Sequence, residues 1–156
     1  MRIFANQKVR PVRALRDTSG VSVTEFALAL PLLVAILIPL FDLGMWSYAE
    51  MQVMEAAQAG AHYAELHGWA SAAIQSAVTS ATSLSSISAT PAPTESCGCA
   101  DGTSIASANC SDTCPNGQAA GTYVTVNAQA LYQPLLPYPA IGKSVTLNAR
   151  AMVRIR

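Results

Sequence analysis

From Phe26 to Phe41 the chain runs sixteen residues, FALALPLLVAILIPLF, without a charged side chain, and Glu25 is the only charge between Val21 and Phe41. A helix needs about 20 apolar residues to cross a hydrocarbon core. The run is therefore expected to span a membrane, helped by Met45 and Trp46 beyond Asp42. Pro31 and Pro39 lie inside it. Each removes a backbone donor and favours a kink, which membrane helices tolerate when the freed carbonyls are met by side chains or neighbours. Glu25 is the anomaly. A carboxylate at the hydrocarbon centre costs about 3 kcal/mol on insertion scales, so an ionisable group there marks a functional site by default.

The charge pattern orients the span. Arg2, Lys8, Arg10, Arg13 and Arg16 stand against Asp17 before Gly20, a surplus of four positive charges, and the remainder carries the same surplus of acid, so the net charge is zero. Basic residues stay cytoplasmic beside a spanning helix, which puts the amino end inside and the bulk of the chain outside. This also makes a nucleic-acid role for the basic segment unattractive. Charged residues are only 12% of the whole and hydrophobic ones 51%, where soluble domains carry about 25% charge.

Beyond the run, WSYAEMQVMEAAQAGAHYAELHG continues without proline, and Trp46, Ala49, Val53, Ala56, Ala57, Gly60 and Ala64 recur at helical spacing. One helix is expected from Val21 to His67, stopped by Gly68, and at 1.5 Å per residue it would be about 70 Å long. That is about twice a hydrocarbon thickness, so its outer half must pack on something else. Ala56, Ala57, Gly60 and Ala64 form a small-residue stripe that allows close backbone approach, first within the head and second at a filament interface. A shorter helix is expected at about 69–84, with Trp69, Ala72, Ile74 and Val78 as candidate buried positions. Residues 85–121 are rich in Ser, Ala, Thr, Pro, Gly and Cys and read as a long loop.

At the carboxyl end Val124, Val126, Ala128, Ala130 and Tyr132 alternate with polar residues, as do Val145, Leu147, Ala149, Ala151, Val153 and Ile155 apart from Met152. Period two predicts half-buried antiparallel strands at about 122–132 and 144–156. Between them QPLLPYPAIG is too long for a tight hairpin turn. Two strands need a cover, and the extramembrane helix supplies it. The fold class is α+β: residues 1–20 a cytoplasmic leader, 21–44 a transmembrane helix, and 45–156 a small extracytoplasmic head.

Cys97, Cys99, Cys110 and Cys114 all fall in the outer segment. An even count in an oxidising compartment favours two disulfides, and zinc is the rival reading, with a loose spacing and no histidine between the couples. A bridge within Cys97-Gly98-Cys99 would be strained, so the pairs are expected to cross from one couple to the other. His62 and His67 are five apart and share no helix face well, which argues against a metal site. Tyr132 and Tyr138 could present a recognition surface, with loop packing the first expectation. No nucleophile, base and orienter constellation appears, nor a phosphate-binding glycine loop, so neither an enzyme nor a cofactor is expected.

In Gly20-Val21-Ser22-Val23-Thr24-Glu25-Phe26 a glycine precedes the apolar run and a glutamate stands fifth after it. This resembles the processing site of type IVb prepilins, cut after the glycine by a membrane aspartic peptidase. EFALALPLL, then FDLGMWSYAEMQVMEAAQAGAHYAE, then terminal strands ending in LNARAMVRIR are similar to TadE-like pseudopilins of the tight adherence (Tad, or Flp) pilus. The resemblance is strongest over Gly20 to Glu65, extends to Tyr123 to Arg156, and does not inform the cysteine-rich middle. It implies cleavage between Gly20 and Val21, with Glu25 and Phe26 recognised in processing and assembly, and a noncatalytic role as a minor pilin. It further implies a bacterial inner-membrane protein with a periplasmic head. Its partners would be the prepilin peptidase, other pilins, the inner-membrane platform, the motor ATPase and membrane lipid. Two alternatives stand beside it. One is a permanently anchored scaffold; the other is a domain released by signal peptidase after Ser47-Tyr48-Ala49, with a mature start at Glu50.

Overall fold

The computed structural model describes residues 19–136 and 142–156. Residues 1–18 of the expected leader, and Tyr138, lie outside the described residues. Helix α1 runs Ser19–His67 and α2 Ser71–Ser80; the strands are β1 Thr94–Ala100, β2 Ile105–Ser107, β3 Gly121–Tyr132 and β4 Val145–Arg154. The chain divides into two compact units at Ile38 and Pro39.

The described residues of the first unit, Met1–Ile38, are the amino-terminal part of α1. Helical structure continues through Pro31. Here Val23, Phe26, Leu28, Leu32, Leu33 and Ile36 are all exposed. The helix carries a stretch long and apolar enough to cross a membrane, and little of that stretch is buried by protein.

The second unit, Pro39–Arg156, is an α+β head. Its sheet is antiparallel in the order β2-β1-β3-β4. The longest ladder joins β3 to β4 in a register from Tyr123 opposite Arg154 to Tyr132 opposite Val145. Val124, Val126, Ala128 and Ala130 are buried at every second position, and Leu147 joins them from β4. Against this face lie Ala49, Val53, Ala56, Ala57, Ala61 and Ala64 of α1, with Ile74 and Val78 of α2. Most of the helical contribution is alanine, so the helix sits close to the sheet. Gly60 is the tightest point: a Cβ there would stand 2.6 Å from Val78 Cγ2 and 2.8 Å from Val126 Cγ1. The small-residue stripe therefore packs inside the head, as its first reading expected.

Gly68 ends α1 with φ +78° and donates its N–H to Ala64 O at 2.8 Å. Glycine adopts this left-handed conformation without a Cβ penalty, which makes it a natural helix stop. Two local expectations change. Trp69 and Ala72 are exposed, because α2 begins only at Ser71 and its buried face is set by Ile74 and Val78, four residues apart. The segment 85–121, expected as a loop, contributes β1 and β2 to the sheet. Its small polar residues hide the period-two signal: β1 reads TESCGCA, and β2 has only three residues, all exposed.

Candidate functional site

Gly20 and Val21 fall in the opening turn of α1, and Glu25 follows Val21 by four residues. At 1.5 Å per residue this is about 6 Å along the axis, and positions four apart share a helix face. An amine created at Val21 would thus stand on the same side of the helix as the Glu25 carboxylate. The Glu25 and Phe26 side chains are exposed, as are the large apolar side chains that follow. The arrangement can present one acidic group on an otherwise apolar rod, and it leaves that group open to a second molecule.

The cysteines are brought together in the head. Cys97 bonds Cys110 and Cys99 bonds Cys114, so both bridges cross between the couples. Residues two apart on a strand face the same way, which puts both β1 sulfurs on one side for the 110–114 segment to reach. Gly98 between them takes the close approach of β2: a Cβ there would meet Ile105 Cγ2 at 2.5 Å and Ala106 O at 2.8 Å. The strap beyond is held by its own hydrogen bonds. Asn109 N–H donates to Asp112 Oδ2 at 2.8 Å, Cys114 N–H to Gln118 O at 2.7 Å, and Ala120 N–H to Asp112 O at 3.0 Å.

Asp101 organises the β1–β2 turn. It accepts from Ser104 N–H at 2.7 Å, from Thr103 N–H at 3.2 Å and from the Ser104 hydroxyl at 3.0 Å. The backbone donor of Ser104, followed by its hydroxyl and the Thr103 N–H, holds the Asp101 carboxyl below its ordinary pKa. Donors aimed at a carboxylate favour its charged form.

One constellation went unread in the sequence. Asp42, the first charge after the apolar run, is only 3% exposed although its neighbours Phe41 and Leu43 are open. The Tyr132 hydroxyl donates to Asp42 Oδ1 at 2.5 Å and to Asp42 O at 3.0 Å, and Leu135 N–H donates to Oδ1 at 3.3 Å. The end of β3 and the residues after it are thereby clasped to α1. Tyr132 packs rather than presenting a free recognition surface, as its first expectation held. Beside the clasp an apolar groove of about 230 Å³ opens between Pro39, Leu43, Trp46, Pro134 and Val145. The only hint available in the sequence was that Asp42 ends a long uncharged run while tyrosine ends a strand.

These features define a class of protein: a small disulfide-bonded α+β head built on the carboxyl half of an apolar helix long enough to serve as a single-pass membrane anchor. Residues 20–62 match the family model described as TadE-like protein. No curated protein matches the chain, and no solved structure does.

Proposed function

We propose that this chain is a noncatalytic minor pilin or pseudopilin of a Tad (Flp) pilus, processed after Gly20 by a prepilin peptidase and used in pilus assembly or surface adherence. The observation that carries the reading is the exposed Glu25 at the head of an exposed apolar helix, inside the segment that matches the TadE-like model. Cleavage would free an amine at Val21, largely protonated at neutral pH. In pilins such an amine is thought to meet the glutamate of a neighbouring subunit, and pairing in an apolar setting registers one monomer on the next. Removing one partner of a buried pair costs about 3–5 kcal/mol, while the intact pair is near neutral. Glu25 would thus supply register rather than raw stability.

In this reading the leader stays cytoplasmic, the helix crosses the inner membrane and the head is periplasmic until it joins a filament. The peptidase, the other pilins, the platform and the motor ATPase are its partners. Release after Ala49 is less compatible with the head. Ala49 is a core residue, and the cut would separate Asp42 and Trp46 from the strands they pack on.

Mass spectrometry of the mature amino terminus tests the proposal. A start at Val21 is expected, and it should persist in Glu25→Ala while incorporation into filaments is lost. A start at Glu50 would favour release by signal peptidase. An uncut methionine end, with filaments still forming, would overturn the pilin reading.

A further inference from the structure

We propose that the end of β3 and the leucines just after it form a second membrane contact: Leu131, Leu135 and Leu136 enter the leaflet nearest the head, and Lys143 sits among its headgroups. The inference rests on α1 spanning the bilayer. Leu131, Leu135 and Leu136 are 48%, 65% and 44% exposed, an unusual concentration of open leucine for a small head. The clasp fixes where on α1 they stand. Leu135 N–H is bonded to Asp42, which lies directly after Phe41, the last residue of the uncharged run.

At that level α1 also exposes Leu40, Phe41, Leu43 and Met45, so the leucines continue an apolar belt already present on the helix. Asp42, the one acid there, is turned inward and covered, so the belt meets its surroundings without a carboxylate. Across residues 131–145 the sequence holds a single charge, the exposed Lys143, and no acid. The exposed Tyr48 follows within two helical turns, and aromatic side chains with a polar tip favour the membrane interface. Apolar side chains, interfacial aromatics and a cation are what an anionic lipid surface accepts.

The test uses the full mature chain, with its disulfides intact, in vesicles of phosphatidylethanolamine and phosphatidylglycerol. An environment-sensitive NBD label is placed at Leu136→Cys, with Leu33→Cys in the apolar run and Thr103→Cys in the β1–β2 turn as references. Expected at 136 is blue-shifted emission, loss of intensity with doxyl-labelled lipid and little response to aqueous iodide. The label at 33 should behave alike and the label at 103 oppositely. If 33 is quenched by lipid while 136 behaves like 103, the second contact is refuted and the span stands. If neither 33 nor 136 is quenched by lipid, the span itself fails and the inference with it. Protection of 136 from iodide without lipid quenching, growing with protein density, would assign the leucines to another copy of the chain and overturn the proposal.

Discussion

Tyr132 and Asp42 illustrate how one hydroxyl decides whether a buried carboxylate is tolerable. The tyrosine donates to both the side chain and the carbonyl of Asp42, ninety residues away in sequence. Hydrogen bonds to charged groups contribute about 1.5–3 kcal/mol, and a buried acceptor stripped of its donor keeps its desolvation cost. Tyr132→Phe should therefore destabilise the head by about 2 kcal/mol and lower its Tm by several degrees, read by circular dichroism in detergent. An unchanged Tm would mean that the hydroxyl is dispensable. Asp101 behaves differently because it is solvent-exposed and acts only on its own turn. Its folded pKa is depressed, so the turn gains stability above the unfolded pKa of about 3.9 and loses it as pH falls through the folded value. The Ser104 amide resonance should titrate with a midpoint below the ordinary aspartate value, and Asp101→Asn should abolish that titration.

Between α1 and the sheet the decisive quantity is distance. Gly60 lets the helix approach until Val78 and Val126 occupy the space where a Cβ would stand. Glycine within a helix costs up to about 1 kcal/mol relative to alanine, yet overpacking a tight core costs about 1–3 kcal/mol. Gly60→Ala should on balance destabilise, whereas Gly44→Ala, which meets nothing within 4 Å, should be neutral or stabilising. A Tm comparison of the two variants checks the sign. The same geometry explains which elements were legible in the sequence. Helix α1 and strands β3 and β4 carry long periodic patterns because one face of each is buried. Strands β1 and β2 do not, since β1 is held by the crossed bridges Cys97–Cys110 and Cys99–Cys114 and by its ladder to β3, and β2 by its ladder to β1. Trp69 misled for a related reason: apolar character alone placed it on the buried face of a helix that starts two residues after it.

For the molecule as a whole, the apolar run and Glu25 could be read directly, because both are local in the chain. The Asp42 clasp could not, since it joins residues ninety apart and depends on where the strand returns. The same division applies to topology. Orientation follows from the loops flanking a span: lysine and arginine are retained on the cytoplasmic side, largely irrespective of acid. Four such residues lie between Lys8 and Arg16, close before the run, whereas Lys143 and the three terminal arginines are a hundred residues beyond it. The cysteines provide a chemical reporter of the outcome, because disulfides persist in oxidising compartments and thiols stay reduced in the cytosol. In intact cells a maleimide mass tag should therefore fail to label the wild-type chain until it is reduced. Replacing Lys8, Arg10, Arg13 and Arg16 with glutamate should invert a fraction of the molecules, and that fraction should label without reduction. Labelling of unreduced wild type would place the head in the cytosol, where the two bridges could not be maintained and the basic residues before Gly20 could not be holding the amino end inside.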